Sequence, residues 1–191
     1  PGFTRGQNLE KIGQHAGDTS ELFFNDLRVP ADALLGGVEG QGFVQMMREL
    51  PRERLIIGVQ AVYGAQGALD ATLRYVQERQ AFGQSIGQFQ NTRFTLAQCA
   101  SDIAAAKAFL HASVAAYERG QLTPEAVSAL KLHTTEVFGR VADACLQLFG
   151  GYGYMAEYPI SRFWTDARVL RIYGGTSEIM KELVARSLLG R

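Results

Sequence analysis

The chain is short of most features that mark a specialised trade. It holds two cysteines in 191 residues, too few for a disulfide-stapled scaffold. Cys99 and Cys145 both fall on apolar faces of expected helices, where buried thiols in a reducing compartment are the simplest reading. The three histidines, His15, His111 and His133, share no ligand spacing, so no metal site is expected. No apolar run comes near the ~20 residues that cross a bilayer, and Pro1-Gly2-Phe3-Thr4-Arg5 has no signal-peptide organisation. Charge of one sign is not in excess either: 19 Lys+Arg stand against 19 Asp+Glu. That removes the electrostatic footprint of a nucleic-acid or anionic-membrane binder, leaving room for a local basic pocket. What is present is 47% apolar and 20% charged residues, the profile of an ordinary globular chain of one or two domains.

Residues 1–36 read as strand and turn. Ser20-Glu21-Leu22-Phe23-Phe24 meets the turn pair Asn25-Asp26 and then Leu27-Arg28-Val29-Pro30. This is too little for an independent sheet, and the glycines at 36, 37, 40 and 42 mark a junction. Beyond it the pattern turns helical. Leu55, Val59, Val62, Leu69, Leu73 and Val76 form one ladder. Leu96, Cys99, Ile103, Leu110, Val114 and Tyr117 form a second, and Val127, Leu130, Val137, Val141, Cys145 and Leu148 a third. Thr123-Pro124-Glu125 opens the third with a hydroxyl N-cap, a proline at N1 and an acid in the first turn. A shorter helix is expected after Tyr158-Pro159, and a last one from Thr176 to Leu188 before Gly190. Three long amphipathic helices with short connections predict an antiparallel four-helix-type bundle, so the fold is mainly α, preceded by a few β-strands. The domains divide as 1–36, the remnant of a β domain, and 37–191, the helical bundle. Small residues on the first helix (Gly58, Ala61, Gly64, Ala65, Gly67, Ala68) leave room for a deep tunnel or serve tight packing.

Four spaced stretches carry the chemistry. Ile172-Tyr173-Gly174-Gly175-Thr176-Ser177-Glu178-Ile179 pairs a double glycine, which lets backbone approach a flat ligand, with a capped helix start that favours anionic or electron-rich groups. The others are Pro51-Arg52-Glu53-Arg54-Leu55, Glu78-Arg79-Gln80-Ala81-Phe82-Gly83, and Gln147-Leu148-Phe149-Gly150-Gly151-Tyr152-Gly153-Tyr154. In this order and with these gaps, the set resembles the C-terminal part of the acyl-CoA dehydrogenases, and the resemblance covers essentially the whole chain.

The resemblance implies α,β-dehydrogenation of an acyl-CoA thioester to the trans-2-enoyl-CoA. A carboxylate takes the α-proton and hydride passes to N5 of FAD. In most members the carboxylate lies within Tyr-Glu-Gly-Thr, where this chain reads Tyr173-Gly174-Gly175-Thr176. The long-chain and isovaleryl-type members place it instead at the start of the first long helix, where this chain has Glu53, the expected catalytic base. To take so weak an acid's proton the carboxylate must be made more basic. Burial beside the acyl chain would do this, and Arg52 and Arg54 would oppose it. Arg54, Tyr173 and Gly175 are the expected substrate contacts, with Gly175 bordering the thioester. By the same resemblance Arg79, Phe82, Gln90, Gln147, Gly150 and Gly151 reach the FAD of a neighbouring subunit. Thr176, Ser177 and Glu178 lie by the ribityl chain and pyrophosphate of the chain's own. Glu178 departs from the glutamine of many relatives and must point away from phosphate.

Further implications are a homodimer or homotetramer and an electron-transferring flavoprotein as partner, in the cytoplasm of a bacterium or the matrix of a mitochondrion. The family's N-terminal helical domain and most of its middle β domain do not appear in these residues. The chain therefore reads as a fragment, expected to bind flavin weakly and turn over poorly by itself. An acyl-CoA oxidase-like relative and a non-catalytic helical assembly module are the alternatives.

Overall fold

A computed structural model of the chain describes residues 1–190. Its helical part is built on α1 (Gly42–Glu78), a rod of 37 residues, about 55 Å long at the rise of an α-helix. A hairpin of β3 (Gln80–Ala81) and β4 (Gln84–Ser85) turns the chain. It leads into α2 (Gln90–Glu118), then α3 (Pro124–Phe149), α4 (Pro159–Val169) and α5 (Ser177–Leu189). α1 packs most extensively on α3, and α2, α4 and α5 close around that pair. This is the bundle that the three ladders predict. None of these helices is long and apolar enough to cross a membrane.

The core face of α1 differs in detail from the ladder read in the sequence. Leu55, Val62, Leu69 and Val76 are buried at heptad steps, but Val59 and Leu73 are 37% exposed. Ala61, Ala65, Ala68 and Thr72 take the core positions between the heptad residues, each 0% exposed. Size is the reason. A Cβ on Gly64 would stand 2.7 Å from the Phe138 ring, and one on Gly58 would stand 3.1 Å from Leu130. The small residues let α1 and α3 approach closely, so tight packing and not a tunnel accounts for them. The two cysteines, Cys99 and Cys145, are buried and free on α2 and α3.

Helix ends follow their local chemistry. Thr123 caps α3, its hydroxyl accepting from the Ala126 N–H at 3.3 Å with proline at the first position. Thr176 caps α5 in the same way through Ile179 N–H, and Gly190 ends it in the left-handed conformation. At the start of the chain β1 (Phe3–Asn8) pairs antiparallel with β2 (Ser20–Phe24). The Asn25-Asp26 pair therefore does not join two strands: Asn25 N–H donates to Gly2 C=O, closing the end of that ladder. The segment between β1 and β2 is held to the bundle by Gln14, whose backbone N–H donates to Asp166 Oδ1 of α4 at 2.5 Å.

Candidate active site

One stripe of α1 organises the expected reaction centre. Met46, Leu50, Glu53, Ile57 and Gln60 recur at steps of four and three, the spacing that puts helical side chains on one face. Met46, Leu50 and Glu53 line an apolar cleft of about 870 Å³, whose other wall includes Leu34, Leu35 and Val38 from the segment before α1. One turn beyond Glu53, Ile57 meets the double-glycine loop: a Cβ at position 174 would stand 2.6 Å from Ile57 Cδ1. A further turn on, Gln60 Oε1 accepts from the Tyr173 hydroxyl at 2.8 Å. Glu53 thus lies between the cleft and the loop. Its side chain is exposed in this chain, and among the described residues it forms no ion pair, since Arg52 turns to Glu49 at 3.8 Å.

A side chain at position 174, where the resemblance places the carboxylate in most relatives, would be strained in this chain. Gly174 has φ +63°, and besides Ile57 an added Cβ would meet Lys131 Cε at 3.5 Å. The loop's carbonyls turn inward. Arg54, 6% exposed, donates from Nε to Gly174 C=O at 3.1 Å. Lys131 donates from Nζ to Gly175 C=O at 2.6 Å and to Leu170 C=O at 3.0 Å. Among the described residues no backbone carbonyl accepts from the Gly174 or Gly175 N–H. Burial pushes the Arg54 guanidinium below its usual range, against the opposing charge of Glu53. Burial also raises the Tyr173 hydroxyl above its usual range, while the Gln14 and Gln60 amides beside it pull the other way.

The expected FAD contacts fall into two separate groups. Arg79, Gln147, Gly150 and Gly151 share a pocket of about 630 Å³ with Tyr75 and Tyr152. Its floor is aromatic: Tyr75 stacks on Phe149 at 4.0 Å, and the Arg79 guanidinium lies 5.4 Å from the Tyr152 ring centre. Nothing lies within 4 Å of where Cβ atoms on Gly150 and Gly151 would be, so that backbone is open to a ligand. A cation, a side-chain amide and bare backbone form a donor set suited to a diphosphate, and these residues fit the cofactor. Phe82 and Gln90 lie outside the lining of that pocket. Phe82 sits at the tip of the β3–β4 hairpin, 95% exposed, and Gln90 opens α2.

The second group starts α5. Thr176 is engaged as its cap, and the Ser177 hydroxyl turns inward to Glu136 Oε1 at 2.9 Å. Glu178 faces solvent, with its carboxyl held below the usual range by its own backbone N–H and then by the Thr176 hydroxyl. It therefore already supplies the negative charge that this helix start favours.

Sequence reading missed Lys131, Gln14 and Gln60. Lys131 had a signal: it stands at a core register of α3, with Val127, Leu130 and Thr134, where a charge is anomalous. Gln14 and Gln60 had none, because they meet Tyr173 only through tertiary contact.

The family described as acyl-CoA dehydrogenase, C-terminal domain, matches residues 40–189. The long-chain specific acyl-CoA dehydrogenase, mitochondrial, of Sus scrofa is 46% identical over 98% of this chain and 44% of its own length. The crystal structure of an acyl-CoA dehydrogenase from Geobacillus kaustophilus superposes with a TM-score of 0.94 at 45% identity, covering 98% of this chain and 49% of that one. A chain of a structure described as the electron transferring flavoprotein of Acidaminococcus fermentans superposes with a TM-score of 0.94 at 37% identity, over 100% of this chain and 50% of that one. The chain spans about half the length of the relatives it matches.

Proposed function

The chain belongs to the acyl-CoA dehydrogenase family, and from that premise we propose that its protein desaturates an acyl-CoA thioester between the α and β carbons, with Glu53 as the base. The observation that carries this is the single stripe of α1 in which a carboxylate stands between an apolar cleft and the double-glycine loop. The cleft takes the acyl chain and excludes water from it. Acyl carbons lying there also cover Glu53, which is exposed without them.

The thioester carbonyl points at the loop. There the N–H groups of Gly174 and Gly175 are available as donors for the negative charge that grows on its oxygen as the α-proton leaves. Arg54 serves the loop, holding Gly174 C=O, and Tyr173, fixed by Gln60, forms a wall of the site. FAD, when bound, supplies the hydride acceptor for the β-carbon. Thr176, Ser177 and Glu178 would lie at the near cofactor, while Arg79, Phe82, Gln90, Gln147, Gly150 and Gly151 would hold the one across an interface. The family's sharing of the flavin between neighbouring subunits makes a homodimer the smallest competent unit of this reading, itself able to pair into a homotetramer. An electron-transferring flavoprotein is the proposed electron acceptor.

The test is anaerobic mixing of the holoenzyme with acyl-CoA, reading flavin bleaching. Wild type should bleach, and Glu53→Gln should bind the ligand yet bleach more than about a hundredfold slower, the loss typical of a missing general base. Bleaching at the wild-type rate in Glu53→Gln would refute the assignment.

A further inference from the structure

Lys131 is the largest fully buried side chain among the described residues, 1% exposed. It stands in the core of α3, where an uncharged residue would serve packing better. Both of its hydrogen bonds end on carbonyls of the loop after α4, those of Leu170 and Gly175. No carboxylate pairs with it among the described residues. The charged group acting on it is Arg54, from α1. Glu136, further along α3, is taken by Arg171 at 3.4 Å and by the Ser177 hydroxyl of α5. Two buried cations therefore converge on one loop, and among the described residues neither is ion-paired with a carboxylate; the charge of Glu53 acts on Arg54 alone.

Peptide geometry gives this arrangement a direction. The Gly174 carbonyl, held by Arg54, shares a peptide group with the Gly175 N–H, and the Gly175 carbonyl, held by Lys131, shares one with the Thr176 N–H. A cation on the carbonyl draws electron density from the same peptide group and strengthens its N–H as a donor; Arg54 so acts on the Gly175 N–H proposed for the thioester, while Lys131 acts on the adjoining Thr176 N–H, holds the loop in place and adds its own charge. We infer that Lys131, together with Arg54, is a positioning residue that fixes the double-glycine loop with its amides outward and biases the site toward the negative charge of the deprotonated thioester. The inference rests on the proposed dehydrogenation: the α-proton goes to the Glu53 carboxylate and the electron pair onto the thioester oxygen, where an unneutralised positive charge nearby lowers the energy of the product. Burial, and then the charge of Arg54, bring the Lys131 ammonium down to about 8. The bias is accordingly present below that pH and lost above it, while the carboxylate base is lost in the opposite direction.

The test uses the holoenzyme and a 3-thia-acyl-CoA, an analogue whose α-carbon is acidic and whose β position cannot give up hydride. Its deprotonation is read from a long-wavelength absorbance band at equilibrium. Lys131→Met should lower the deprotonation equilibrium at pH 7 on the order of tenfold, the size of one pKa unit, and Lys131→Arg should bring it back to within a few-fold. A Lys131→Met enzyme that retains flavin and shows the wild-type band would overturn the inference while leaving Glu53 in place. If Lys131→Met fails to hold flavin, the wild type decides. Its band should pass through a maximum and fall between about pH 7 and 9.5 as Lys131 loses its charge; a steady rise would overturn the inference. A wild type with no band at any pH overturns the proposed function and this inference together.

Discussion

Phe82 combines two unfavourable features: a backbone φ of +53° and 95% exposure. Left-handed backbone costs a bulky residue about 1–2 kcal/mol, and an aromatic ring left in water recovers none of it; its edge contact with Phe89, at 6.2 Å, is slight. Such strain persists where a side chain has work outside its own fold, consistent with a cofactor contact made across an interface. Replacing Phe82 with asparagine, which tolerates this backbone, should stabilise the protein by roughly 0.5–1 kcal/mol in urea unfolding while weakening FAD retention several-fold. A variant that keeps both its flavin and its stability unchanged would remove Phe82 from the site. At this scale the sequence was most legible where an expected residue was missing or out of place. Gly174 in place of a carboxylate is what makes Glu53 the proposed base, and the left-handed φ of Gly174 with its contact to Ile57 accounts for the absence of a side chain there. Lys131 was marked by its core register on α3, but its partners, backbone carbonyls 39 and 44 residues away, are announced by no side-chain pattern.

Among the elements, α1 shows packing overruling propensity. Glycine in a helix interior is ordinarily about 1 kcal/mol worse than alanine, so Gly64→Ala on an isolated helix would stabilise. Here the new methyl group would press on the Phe138 ring at 2.7 Å, and overpacking a filled core costs about 1–3 kcal/mol. Crowding outweighs propensity: Gly64→Ala should destabilise by roughly 1 kcal/mol, measured by the urea midpoint at unchanged slope, and any gain in stability would mean that α1 and α3 can part without cost. Helix positions were readable from the sequence because Thr123-Pro124, Thr176 and Gly190 punctuate them locally. Which face of α1 is buried was only half readable. The heptad Leu55, Val62, Leu69, Val76 is visible, but Val59 and Leu73 look equally apolar, and only the closeness of α3 shows that alanines and Thr72 occupy the seam.

At the level of the whole molecule, cohesion is uneven. Ala61, Ala65 and Ala68 of α1 and Val127 and Leu130 of α3 are 0% exposed, and the two helices share the most extensive contact in the chain. Every residue of β1 and all but Ser20 of β2 are exposed, Phe23 and Phe24 at 48% and 62%. A two-stranded ladder without a covered face is marginal in water, and its ties to the bundle are few, chiefly Gln14 to Asp166. Opening β1 from β2 exposes little new apolar surface, whereas opening the α1–α3 seam exposes the core, so the two events differ in free energy by most of the global stability. Hydrogen exchange on these 191 residues should therefore show paired amides of β1 and β2 exchanging at least ~100-fold faster than those of α1 from Ala61 to Leu69, a ratio equal to about 3 kcal/mol. Equal protection would mean that the strands share the cooperative unit of the bundle. The same unevenness divides the candidate site: the double-glycine loop is pinned to the rigid seam through Arg54 and Lys131, while the cleft beside Glu53 is walled on one side by the exposed segment carrying Leu34, Leu35 and Val38, so opening that segment disturbs the cleft without disturbing the loop.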